Sequence, residues 1–180
     1  MTVIAAAEDK HGIYIASDSH GTDQCDNAFE LGKKIIKKHS YYIGFSYSYR
    51  VADLMRECSA FPKAINTITS LRKFRDVLKD LLTKDGCSVA ASGANTISHP
   101  VSIIIISSKG IFTIDNDYQI HKITTGYIAI GSGYEIALGA LRGLTQNYTS
   151  AEKAVELAVE AAIFHKASCG GNIHIQSIEK

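Results

Sequence analysis

The chain has 180 residues, 46% of them hydrophobic and 21% charged, with two prolines and no tryptophan, so it is long enough to close a real core and reads as one domain over residues 1–180. Nineteen basic and eighteen acidic residues leave a formal charge of +1, which gives no whole-chain electrostatic reason to expect nucleic acid or an anionic membrane as partner. The longest uncharged apolar run, VSIIIISS at 101–108, is too short for a bilayer span of ~20 residues, residues 2–7 lack the basic lead-in of a signal peptide, and four scattered cysteines without a C-x-x-C pair read as free thiols in a reducing cytoplasm.

Two short strands open the chain, the small apolar run 2–8 and HGIYIAS at 11–17, joined by a turn at Asp9-Lys10-His11-Gly12. A polar stretch at 18–32 leads to a second strand pair, 34–38 and 41–46, around His39-Ser40. Helix signals start at Ser48. Val51, Leu54, Met55 and Cys58 make one apolar face before Pro62, and Leu71, Phe74, Val77, Leu78, Leu81 and Leu82 repeat it before Gly86. The small, polar segment SVAASGANTISHP at 88–100 reads as a mobile loop. Strands resume at 101–107, 110–115 and 118–123, with a short apolar piece at 127–130. A third helix is expected over 133–144. A fourth runs to about residue 166 behind a capping box at Thr149-Ser150-Ala151-Glu152, and a last strand covers 172–178. Strand runs separated by helix pairs predict an α+β fold of two stacked antiparallel sheets with helix pairs outside.

Thr2 carries the chemistry that the start of the chain offers. Removal of Met1, which aminopeptidases cut before small residues, leaves a threonine with both a hydroxyl and a free α-amine. An α-amine has a pKa of ~7.7–8.0 and can act as base for the hydroxyl of its own residue. Such a site needs a cation near the hydroxyl and a carboxylate to hold that cation. Asp18 lies sixteen positions after Thr2, and Lys34 sixteen positions after Asp18, each at a predicted strand end. Seven histidines show no H-x-H or H-x-x-x-H spacing, so no metal is expected; Gly131-Ser132-Gly133 lacks the ending of a phosphate loop, and no cofactor is expected.

Four stretches then point to a family. TVIAAAEDKHGIYIASDS at 2–19, GKKI at 32–35, IGFSYSYRVADLMR at 43–56 and IAIGSGYEIALGAL at 128–141 together resemble proteasome β-type subunits, nearer to the bacterial HslV peptidase and its bacterial and phage relatives, members of the N-terminal nucleophile (Ntn) hydrolases. The resemblance implies a four-layer αββα sandwich and peptide-bond cleavage, with Thr2 as nucleophile, Lys34 lowering the barrier at its hydroxyl, Asp18 pairing with Lys34, and Ser132 bonded to the terminal amine. It places the oxyanion donor at or near Tyr47, between Ser46 and Ser48 at the substrate pocket. It also implies a homo-oligomeric ring, hexameric or heptameric and single or stacked, fed with unfolded protein by an AAA+ ATPase.

Two positions depart from the family's pattern. Tyr47 stands where the oxyanion donor is usually glycine, and Lys166, in HKASCGG at 165–171, stands where an acidic residue usually precedes Ser-Gly-Gly. A catalytically silent ring or scaffold subunit that retains Met1, and an Ntn amidohydrolase acting on a small amide, are the alternatives at this point.

Overall fold

The computed structural model describes residues 2–22, 28–30, 32–46, 48–87, 89–90, 97–98, 101–147 and 149–180. In chain order these form β1 (Val3–Glu8), β2 (Gly12–Ser17), β3 (His20–Thr22), β4 (Ala28–Glu30), β5 (Ile35–Lys38) and β6 (Tyr41–Ser46). Helices α1 (Tyr49–Glu57) and α2 (Ile68–Lys84) follow, then β7 (Val89–Ala90), β8 (Ile97–Ser98), β9 (Ser102–Ser107), β10 (Gly110–Ile114), β11 (Ile120–Lys122) and β12 (Tyr127–Gly131). Helices α3 (Tyr134–Gln146) and α4 (Ala151–His165) precede β13 (His174–Glu179).

Two antiparallel sheets carry the fold, one in the order β12-β1-β2-β13 and the other β11-β10-β9-β6-β5; β3-β4 and β7-β8 are two-stranded ribbons. Strand β1 is apolar throughout because both its faces are covered. Val3, Ala5 and Ala7 face α3 and α4, while Ile4 and Ala6 face the other sheet. The alanines let α4 approach closely with its own Ala154, Ala158 and Ala162. Strand β9 repeats the division, with Ile103 and Ile105 under α1 and α2 and Ile104 and Ile106 between the sheets. The layers therefore run helices, sheet, sheet, helices, as the sequence predicts, with isoleucine filling the space between the sheets.

Helix α2 buries Leu71, Phe74, Leu78 and Leu82, the face its period predicts, and each such burial contributes about 1.5–3 kcal/mol. Phe74 stacks on Phe61 at 4.4 Å and meets the Tyr41 ring edge-on at 6.0 Å. Among the described residues no helix is long and apolar enough to cross a membrane.

Three expectations change. The polar stretch at 18–32 contains β3 and β4, whose three residues each are too few to show an alternation. Within the expected loop at 88–100, β7 and β8 pair, and its other residues lie outside the described ones. The cap of α4 is Ser150, one residue later than the predicted Thr149 box, its Oγ accepting from the Lys153 N–H at 3.3 Å.

A second cap for α4 comes from the β1–β2 turn. Asp9 Oδ2 accepts from the Ala151 N–H at 2.9 Å, while its Oδ1 accepts from the N–H groups of His11 and Gly12 at 2.8 and 3.1 Å. Burial works to raise the Asp9 pKa, but the hydrogen bonds from Ala151, His11 and Gly12 outweigh it and hold the carboxyl below its ordinary value. A carboxyl depressed in this way contributes stability that is present above its unfolded pKa of ~3.9 and is lost as pH falls through the folded value. Urea unfolding is therefore expected to find Asp9→Ala less stable by about 1 kcal/mol near neutrality, with the gap closing in acid below about pH 4. A gap that stays constant into acid contradicts the assignment.

Candidate active site

Antiparallel pairing brings distant residues to one place. Strand β1 runs against both β2 and β12, with Ile4 opposite Ser17 and Val3 opposite Gly131. The start of β1 thus lies beside the end of β2, where Asp18 follows, and the end of β12, where Ser132 follows. Lys34 belongs to the other sheet, one residue before β5, and its side chain crosses to Asp18.

Asp18 gathers three donors. Its Oδ1 accepts from the Val3 N–H at 3.0 Å and from Lys34 Nζ at 2.6 Å, and its Oδ2 accepts from the Gly170 N–H at 3.1 Å. Lys34 Nζ also donates to the His20 carbonyl at 2.5 Å. Both side chains are 0% exposed. Burial pushes the Lys34 ammonium below the ordinary lysine value, and the Asp18 carboxylate pulls it the other way.

Thr2 is 4% exposed. Its nitrogen donates to Ser132 Oγ at 3.3 Å, and its carbonyl accepts from Ser132 Oγ and from the Gly133 N–H, both at 3.3 Å. Ser132 Oγ lies 2.9 Å from Ser168 Oγ and 3.9 Å from Cys169 Sγ. A hydroxyl has one proton to give and two lone pairs to accept with, so a proton from Ser168 leaves Ser132 able to hold Thr2 at both its nitrogen and its carbonyl. Burial pushes the Cys169 thiol up, the Asp18 charge adding to the effect, so the neighbour of Ser132 is a neutral thiol.

Two glycines make these approaches feasible. Gly131 has φ +91°, and a Cβ there would stand 2.2 Å from the Thr2 carbonyl oxygen. At Gly170 a Cβ would run into the imidazole of His20, which would have to move for the backbone N–H to stay on Asp18.

Of the residues predicted from sequence, Thr2, Asp18, Lys34 and Ser132 converge. Ser46 lines the same cleft as Thr2, a cavity of about 1130 Å³, and its Oγ donates to the Ser102 carbonyl at 3.5 Å. Ser48 is occupied as the N-cap of α1, its Oγ accepting from the Val51 N–H at 3.4 Å. Tyr47 lies outside the described residues. Lys166 is exposed at the C-cap of α4, where its carbonyl accepts from the Cys169 N–H at 2.8 Å. Sequence reading missed Ser168, Cys169 and Gly170, which touch Ser132 and Asp18. The Gly-Gly after Cys169 was the available signal, since paired glycines mark a close backbone approach. Among the described residues no group of three His, Cys, Asp or Glu side chains is placed to hold a metal ion. The Thr2 nitrogen, a peptide nitrogen while Met1 is attached, is held by Ser132, and the buried ammonium–carboxylate pair is bonded to the next N–H, of Val3.

The buried pair also has a stability signature. Removing one partner leaves a charge uncompensated, so Asp18→Asn or Lys34→Met alone is expected to lose about 3–5 kcal/mol in urea unfolding. The double variant is expected to lose less than the two single losses together. Strictly additive losses contradict the coupling.

No family model and no curated protein sequence matches the chain. Solved structures do. BPH of Thiobacillus denitrificans superposes with a TM-score of 0.84 at 19% identity, over 98% of this chain and 97% of that one. The same protein in complex with epoxomicin gives 0.83 at 19% identity, over 98% of each chain. Eukaryotic HslV from Trypanosoma brucei gives 0.71 at 20% identity, over 99% of each chain, and an Anbu mutant from Hyphomicrobium sp. strain MC1 gives 0.68 at 12%, over 99% of this chain and 87% of that one. The chain has the fold of the proteasome-like Ntn hydrolases.

Proposed function

We propose that the chain is a threonine peptidase subunit that hydrolyses peptide bonds through Thr2 once Met1 has been removed. The observation that supports this most is the convergence on Thr2. Its nitrogen meets Ser132 Oγ at 3.3 Å, and the next N–H, of Val3, meets the carboxylate that holds buried Lys34. The Thr2 hydroxyl oxygen attacks the peptide carbonyl carbon. The hydroxyl proton passes to the free amine and on to the leaving nitrogen as the C–N bond breaks, which leaves an ester on Thr2. Water then attacks the ester and gives a proton to the amine, the carbonyl–Oγ bond breaks, and the hydroxyl is restored as the acid product departs.

Each neighbour has a part in this scheme. The Lys34 charge favours a neutral amine and stabilises developing negative charge at the Thr2 oxygen. Asp18 holds Lys34, and Ser132 orients the amine. The backbone N–H near Tyr47 takes the oxyanion, with Ser46 and Ser48 flanking the substrate pocket.

An unenclosed subunit of this kind cuts without discrimination. The subunit therefore works in the cytoplasm as a homo-oligomeric ring of six or seven, single or stacked, and an AAA+ ATPase feeds it unfolded protein. Apolar surface at one end of the α3–α4 pair supports such a contact, since Phe164 is 82% and Tyr134 43% exposed.

Epoxomicin, held by Thiobacillus denitrificans BPH, is the probe for this site, because an epoxyketone needs a hydroxyl and a free amine on one residue. The mass spectrum of the treated protein is expected to show a chain beginning at Thr2 that carries one inhibitor. Thr2→Ala is expected to lose both the adduct and peptide turnover, and Lys34→Ala to lower kcat/KM about 100-fold or more. An intact Met1 without adduct, or full activity in either variant, overturns the proposal.

A further inference from the structure

Thr2 acquires a free amine through one hydrolysis. Water adds to the Met1 carbonyl carbon, the C–N bond to Thr2 breaks, methionine leaves as the acid, and the departing Thr2 nitrogen takes up a proton. A hydrolase that performs this step has to reach that nitrogen and seat Thr2 beside it. In the folded chain both are already committed. Thr2 is 4% exposed and Val3 behind it 0% exposed. The Thr2 N–H donates to Ser132 Oγ, the Thr2 carbonyl accepts from Ser132 Oγ and from the Gly133 N–H, and the Val3 N–H donates to Asp18. The fit is close enough that a Cβ at Gly131 would run into the Thr2 carbonyl.

These contacts form late in synthesis. The ladder between β1 and β2 starts at Ile4, opposite Ser17, and leaves Thr2 outside it. Thr2 is held instead by Ser132 and Gly133, and Ser132 lies 130 positions further along the chain. A ribosome adds ~5–20 residues per second, so Ser132 follows Thr2 by ~6–26 s. Throughout that interval nothing from β12 or the turn behind it covers the Thr2 nitrogen. An isolated two-stranded hairpin is marginally stable at best, so β1 and β2 alone do not hide it.

Resting on the peptidase reading of Thr2, we propose that folding closes a window on activation: Met1 is removed only while Ser132 and Gly133 have yet to cover Thr2, and a chain that folds first keeps Met1 as a silent subunit. The ratio of active to silent subunits then follows from a race between an aminopeptidase and folding. The test uses full-length chain made with the host's methionine aminopeptidase inhibited, so that Met1 is retained. It is folded and incubated with the purified aminopeptidase, beside a peptide of residues 1–12 as the unfolded reference. Mass spectrometry is expected to show the folded chain losing Met1 at least about 10-fold more slowly than the peptide, because three hydrogen bonds on Thr2 break first. Ser132→Ala, with its circular dichroism unchanged, removes two of the three and is expected to narrow that gap severalfold. Trimming of the folded chain at the peptide's rate, loss of Met1 with no aminopeptidase added, or a gap unchanged by Ser132→Ala overturns the proposal. Protection of Met1 as expected, together with no epoxomicin adduct on a chain that begins at Thr2, overturns the peptidase reading and leaves the protection standing.

Discussion

The Lys34–Asp18 ion pair is the constraint around which the rest is arranged. Two charges withdrawn from water cost several kcal/mol each, and their attraction offsets this only if the remaining hydrogen-bonding capacity is filled. Here the filling is done by backbone: the N–H groups of Val3 and Gly170 on the carboxylate and the His20 carbonyl on the ammonium. Each of those contacts fixes a different segment. The start of β1, the turn after α4 and the beginning of β3 are therefore located by one carboxylate and one ammonium, and the first sheet is tied to the second through the Lys34 side chain.

The packing around the pair follows from the same demand for closeness. Glycine at 131 removes the side chain that would hold its backbone away from that of Thr2, and the alanines of β1 and α4 bring the helix layer against the strand that Thr2 precedes. Between the sheets the opposite choice is made. Large β-branched isoleucines keep the layers apart and rigid, and where that layer stops at an open edge a cleft forms beside Thr2. A tight region and an open one thus meet at the start of β1.

Much of this was legible in the sequence, for identifiable reasons. The face of α2 shows a clean helical period because solvent lies on its other side, and β6 (Tyr41–Ser46) stands between unambiguous breaks. Thr2, Asp18 and Lys34 could be named because each sits at a strand end and each has a chemical type the others require. Ser168 could not. Its contact with Ser132 joins positions 36 apart through the packing of α4 and the turn after it, and the Gly-Gly that follows marks a close approach without naming the partner. The cap of α4 was misplaced by one residue because Thr149 and Ser150 are both competent caps, and the Asp9 contact with Ala151 is made across 142 positions. The ribbon of β3 and β4 escaped because three-residue strands carry no period.

The central claim is that a free amine on Thr2 is the base for its own hydroxyl. Two preparations that differ only at the first residue test it, one beginning at Thr2 and one with Met1 retained, compared in steady-state hydrolysis of a single fluorogenic peptide. The account predicts turnover by the chain that begins at Thr2 and none by the chain that keeps Met1; equal rates from the two contradict it.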